Sequence, residues 1–181
     1  MITLFRKLNS EKKLKKNGSL LDLGCGNGKV SEPFLGFGYT ITLVDSNAGV
    51  LEEVEKNFSS IKKDGYTTVH GAIEKFEFND TYDGIIISNV LPFQKEKTEI
   101  TRIIHSAFNA LHTGGFLFFT LFGTEDDWAK DKKDTMSFYT KNEALDIMEG
   151  KPYFISEDYG KGSTMKGNIK NWHIFSLLYF K

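Results

Sequence analysis

Two carboxylates bracket a run of alternating glycines: Asp22 precedes Gly24, Gly26 and Gly28, and Asp45 closes the next apolar run. A chain that must turn tightly against a ligand needs unusual backbone angles and close approach, both of which a Cβ obstructs. Asp22, at the end of the run Leu20–Leu23, is placed to accept hydrogen bonds from a cationic or hydroxyl-bearing ligand. Asp45 lies about 20 residues beyond the glycines, the separation at which an acid takes up a ribose diol with both oxygens. Cys25 and Asn27 fill out the turn, and Ser46 or Asn47 is expected to cap the helix that follows. With no histidine near it in sequence, Cys25 reads as a small residue beneath the ligand rather than a nucleophile.

This Asp-x-Gly-x-Gly-x-Gly pattern, with an acid ending a second strand, resembles the nucleotide-binding motifs of the Rossmann-like S-adenosylmethionine (SAM) methyltransferases. Dinucleotide dehydrogenases carry Gly-x-Gly-x-x-Gly instead, and Lys29 stands where their third glycine would be, which disfavours an NAD-dependent oxidoreductase. The resemblance implies an α/β fold: a three-layer α-β-α sandwich around a mostly parallel seven-stranded sheet with an antiparallel last strand. It also implies SAM as cofactor and S-adenosylhomocysteine as product. Where the family carries an acid for the adenine amino group, this chain has Ala72. Backbone groups of Ala72 and Ile73, with Glu74 nearby, would then read the base, and Ile73 would pack on its face. The loop Ser88-Asn89-Val90-Leu91-Pro92-Phe93 should border the methyl group and its acceptor. It lacks the Asn-Pro-Pro-Tyr of amino-methylating DNA and protein enzymes. The ending Gly167–His173, with its Lys-x-Trp-His, resembles a bacterial group related to the tellurite-resistance methyltransferases.

Methyl transfer from a sulfonium is an in-line displacement, so aligning the groups and excluding water carry most of the work. A thiolate, chalcogenide or amine needs only a seat, whereas a hydroxyl needs a base. Asn89 could orient the acceptor and His173 could deprotonate it; a strand histidine paired to its surroundings is the alternative for His173. No metal is called for. The reading is thus a methyltransferase acting on a small molecule, with a SAM-binding module that has lost catalysis as the rival.

Composition sets the bounds. The 181 residues suit one domain spanning 1–181, with 1–17 as a short helical extension that offers less cover than the family usually has. A net charge of -1 and only two arginines, Arg6 and Arg102, argue against nucleic acid as a partner. The single cysteine and the lack of a long apolar run fit a soluble, cytoplasmic protein without a membrane span; oligomeric state is not legible.

The elements that must position these residues follow from periodicity. Ile2, Leu4, Phe5 and Leu8 mark a short amphipathic helix before the basic run Lys12, Lys13, Lys15 and Lys16, which reads as a solvated face. A helix is expected over 30–36, another from Asn47 to about Lys62, and strands at 66–70 and 82–89. Ile100 to Leu111 repeats at helical spacing, and Thr113-Gly114-Gly115 turns into a strand over 116–122. Trp128, isolated among charges, either docks on the domain or covers a ligand. Thr140 should cap a helix reaching Met148, and 153–159 and 172–180 read as a closing hairpin.

Overall fold

A computed structural model of the protein describes residues 2–61, 64–164 and 167–181. Met1, the expected helix end at Lys62, and Met165 and Lys166 in the hairpin connection lie outside the described residues. The strands are β1 (Ser19–Leu23), β2 (Thr40–Asp45), β3 (Tyr66–His70), β4 (Tyr82–Ile87), β5 (Leu111–Phe122), β6 (Phe154–Ser163) and β7 (Ile169–Phe180). The helices are α1 (Ile2–Ser10), α2 (Glu32–Gly36), α3 (Ala48–Ile61), α4 (Lys97–Asn109), α5 (Trp128–Asp131) and α6 (Lys141–Leu145).

The seven strands form one sheet in the order β3-β2-β1-β4-β5-β7-β6. Strands β1 to β5 are mutually parallel, and β7 runs antiparallel to both β5 and β6. The sheet order reverses between β1 and β4, and the crevice outside the strand ends at such a switch point is where ligands bind in open α/β sheets. Continuous apolar runs suit central strands covered on both faces, and all six residues of β4 are buried.

Each face of the sheet has its own core. On one side Phe5 and Leu8 of α1, Phe34 of α2 and Val54 and Phe58 of α3 pack against Leu20, Leu43 and Phe118. On the other, Ile100, Ile103 and Ile104 of α4 and Ala144 of α6 pack against Leu21, Ile85 and Phe119. The basic run after α1 is largely exposed, and Lys15 Nζ reaches the buried Asp83 at 2.8 Å. Thr140 caps α6 through a reciprocal box with Glu143, as expected, but the helix stops at Leu145 while Ile147 and Met148 stay buried in the turns that follow.

β5 and the closing hairpin also depart from the sequence reading. β5 begins at Leu111 rather than after Gly115, because Leu111 already pairs with Tyr82 and the glycines ride within the strand as a register shift. The hairpin is longer than expected at its tip: β6 runs on through Gly160, Lys161 and Gly162, and β7 starts at Ile169. Those tip pairs reach past the end of β5, whose pairing to β7 stops at Phe122 opposite Ile174.

Candidate functional site

The glycine turn is built by β1 handing its last hydrogen bonds to its neighbour. Gly24 and Cys25 both donate their N–H to Val44 O of β2, at 2.8 and 2.9 Å. All three glycines have positive φ, and Gly24 shows why a side chain is refused: a Cβ there would sit 2.7 Å from Val90. At Gly26 a Cβ would meet nothing within 4 Å, so this glycine is required by φ +52 and by whatever approaches the open face of the turn.

Asp45 joins the parts. Its Oδ2 accepts the Gly26 N–H at 2.9 Å, its Oδ1 accepts the Asn47 N–H at 2.9 Å, and its carbonyl accepts the Gly71 N–H at 3.0 Å. One residue thus ties the glycine turn, the start of α3 and the segment leading to Ala72. Each carboxylate oxygen keeps a second lone pair for a hydroxyl. The helix cap is Asn47, whose Oδ1 accepts from Gly49 and Val50 N–H; Ser46 is exposed and offers only its carbonyl, to His70 Nε2 at 3.0 Å. Asn27 is exposed at the crest of the turn.

Asp22 lies beneath, 1 % exposed, with Oδ2 lacking a partner among the described residues. Burial pushes its carboxyl up to about 7, against a hydrogen bond from Ser31 that pulls the other way. The same burial, with Asp22 and Asp45 adding negative charge, raises the Cys25 thiol, which keeps it protonated and inert as a nucleophile. Just past the end of β4, two residues beyond the strand partner of Asp22, the Ser88 hydroxyl is likewise buried and has no partner among the described residues. Orphaned buried polar atoms are rare, and two at the ends of the adjacent strands β1 and β4 suit a polar ligand that would satisfy them.

Ala72 is half-buried and opens a 3₁₀ turn over Ile73–Lys75. The Ile73 side chain is 5 % exposed and belongs to the core cluster with Leu23, Val44 and Leu91. Glu74 is engaged elsewhere: its Oε2 accepts from Gln94 and its carbonyl from Arg102.

Asn89 sits at the other wall, exposed and in the left-handed region at φ +57. Its N–H donates to Thr120 Oγ1 at 2.7 Å, and the Thr120 hydroxyl donates back to Asn89 Oδ1 at 3.2 Å. Asn89 borders a cleft of about 370 Å³ between this loop and the β6–β7 hairpin, where Trp172 and Ile174 supply apolar surface and Asp158 and Lys161 supply charge. Since Val90 presses on Gly24, residues 89 and 90 separate the glycine crevice from this cleft by a single turn of chain.

His173 is on the opposite face of the hairpin from Trp172 and Ile174. It is 2 % exposed, stacked at 4.3 Å on Tyr159, and both ring nitrogens are committed: Nδ1 accepts from Glu125 N–H at 3.1 Å and Nε2 faces Glu157 Oε1 at 3.2 Å. The structure therefore brings Asp22, the glycines, Asp45, Ser88 and Asn89 together and encloses His173 apart from them. Trp128 docks on the domain, packed against Phe122 and Trp172. Thr120 and the hairpin tip were not legible beforehand, because a threonine in an apolar strand and a Gly-Lys-Gly stretch carry no chemical signature.

Among the described residues no His, Cys, Asp and Glu group could hold a metal, and no helix is long and apolar enough to cross a membrane. The chain matches the family model of the methyltransferase domain over residues 3–160. No curated protein matches it in sequence. Solved structures with a similar fold include TehB from Haemophilus influenzae, at 18 % identity and TM-score 0.78, covering 98 % of this chain and 62 % of that one. A SAM-dependent methyltransferase from Methanosarcina mazei aligns at 20 % identity and TM-score 0.69, covering 95 % and 97 %. The N-methyltransferase NodS from Bradyrhizobium japonicum, in complex with S-adenosylhomocysteine, aligns at 16 % identity and TM-score 0.64, covering 97 % and 84 %. The chain spans a little under two thirds of the length of TehB. With a seven-stranded sheet of this order, a glycine turn fastened to the acid of β2, and a family match over most of its length, the chain belongs to the Rossmann-like methyltransferase-domain family.

Proposed function

We propose that the protein transfers the methyl group of SAM to a small molecule seated in the cleft between Asn89 and the β6–β7 hairpin. The observation that carries this reading is the Gly26–Asp45 hydrogen bond, which makes the glycine turn and the ribose acid one site. Asp45 holds the ribose, Asp22 and Ser88 take the polar end of the cofactor, and Ala72 borders the base through its backbone. The cofactor, when bound, supplies an activated methyl group on sulfur. The protein's part is to align and to keep water out, which accounts for 7 kcal/mol or more, roughly, in well-oriented reactions.

Asn89 orients the acceptor: its conformation is fixed by Thr120, and it lies between the two halves of the site. Enclosure of His173, with Nε2–H spent on Glu157, leaves the cleft without a general base from that residue. An acceptor that brings its own lone pair, such as a thiolate, chalcogenide or amine, fits this better than an alcohol. A net charge of -1 supports a small-molecule partner over nucleic acid, and the lone buried thiol suits a reducing cytoplasm.

Calorimetry with S-adenosylhomocysteine tests the cofactor half. Methyl transfer to a panel of thiols, amines, selenite and tellurite tests the acceptor half. Binding without transfer across the panel would leave a SAM-binding module standing, a reading favoured by Ala72 in the place of the adenine acid.

A further inference from the structure

Lys170 is a lysine 6 % exposed, with its ammonium held behind the cleft wall. Its Nζ stands 3.9 Å from the ring centres of both Trp128 and Trp172 and 5.2 Å from that of Phe122. It also pairs with Asp126, a carboxylate 1 % exposed. Asp126 in turn accepts the Trp128 N–H at 3.0 Å and the His173 N–H at 3.2 Å. The two indoles meet edge to face at 5.4 Å, and the Trp172 Nε1–H donates to Gly162 O of β6 at 3.2 Å.

Trp172 is thus pinned twice, by the ammonium on its ring and by β6 at its nitrogen, while it lines the cleft. A buried ion pair seldom adds net stability over an apolar pair of the same volume, so what this one contributes is direction. An ammonium drawn to the faces of two indoles fixes their planes more narrowly than aliphatic contact would. Asp126 sets where that ammonium sits.

We propose that Lys170 is a positioning residue for the methyl acceptor: clamped by Asp126, Trp128 and Trp172, its ammonium sets the Trp172 indole as the cleft wall. This rests on the reading that the cleft seats the acceptor. The protein's only two tryptophans both touch Nζ, so intrinsic fluorescence reports this cage with no other indole contributing.

In Lys170→Met the quenching of tryptophan emission by acrylamide should rise about twofold or more, and Lys170→Arg, which keeps a cation in the cage, should restore the wild-type value. S-adenosylhomocysteine affinity should stay within about twofold, and the KM for thiophenol should rise on the order of tenfold while kcat changes less. Because Lys170→Met strands the Asp126 carboxylate, Lys170→Met with Asp126→Asn is the second variant, expected to behave alike. Unchanged emission and quenching in both variants would overturn the proposal. Trp172→Ala separates the two claims. If it leaves thiophenol transfer untouched, or if thiophenol is not methylated by the wild type while other panel members are and their KM ignores Trp172, the cleft is not the acceptor site. If Trp172→Ala raises KM and Lys170→Met does not, only the role of Lys170 falls.

Discussion

Thr120 of β5 and Asn89 in the loop after β4 exchange hydrogen bonds: the Thr120 hydroxyl accepts the Asn89 N–H at 2.7 Å and donates to its side-chain oxygen at 3.2 Å. Thr120 is 2 % exposed and anchors the exposed Asn89 at φ +57, a backbone region that a non-glycine residue adopts at some cost. Thr120→Val removes both bonds and leaves a donor unpaired. Unfolding free energy should fall by about 1–3 kcal/mol. Turnover should drop while S-adenosylhomocysteine affinity, measured by calorimetry, holds.

Gly24 and Gly26 separate fold from ligand. A Cβ at Gly24 collides with Val90, so Gly24→Ala should cost about 1–3 kcal/mol of stability, seen as a lowered Tm. Gly26→Ala meets no neighbour and carries only the left-handed penalty of about 1–2 kcal/mol. In the proposed site its methyl group would project toward the cofactor, so affinity for S-adenosylhomocysteine should fall by more than stability does.

Asp45→Ala should weaken S-adenosylhomocysteine binding by about 1.5–3 kcal/mol, the range for hydrogen bonds to a charged group. It also strips the acceptors from the Gly26 and Asn47 N–H groups, so thermal unfolding should move with it. Wild-type affinity in this variant would end the ribose assignment.

If Asp22 contacts the cofactor as proposed, binding should depend on pH. Its carboxyl is raised to about 7 in the free protein, so below neutrality it is protonated and cannot pair with a cationic group of the ligand. Affinity for S-adenosylhomocysteine should therefore strengthen as pH rises from 6 to 8, with proton release on binding, and Asp22→Asn should flatten the profile. The sign for stability is opposite. The folded state binds the proton more tightly than the unfolded chain, so ionising Asp22 between about pH 4 and 7 costs stability, on the order of 4 kcal/mol in full. Urea titrations of the free protein across that range, against Asp22→Asn, measure it.

Much of this architecture was readable before the fold was seen. The run Ser19–Leu23, the glycines and the strand ending at Asp45 sit where their residue types put them, because local sterics and burial agree there. The strand at Tyr66–His70 also matched, bounded by Asp64-Gly65. What failed to show was decided by partners far away in sequence. Leu111 joins β5 because Tyr82 is opposite, and Gly160 to Gly162 extend as strand because Lys170 to Trp172 pair with them. Likewise, a lysine near a tryptophan is an ordinary pattern until the chain brings Asp126 and a second indole around it. Nothing local in the sequence marks Ile73 as turned inward, since its burial comes from residues distant in sequence in the same core cluster.

The antiparallel course of β7 has an evolutionary corollary. The residues proposed to hold the nucleoside all fall between positions 22 and 90, whereas the opposite wall is drawn from a ribbon whose strands begin at 154 and 169. On the proposed division of the site, mutations in that ribbon would retune which compound is modified without disturbing the half that recruits the methyl donor. Descendants of such a scaffold are free to diversify their chemistry by rewriting one late hairpin.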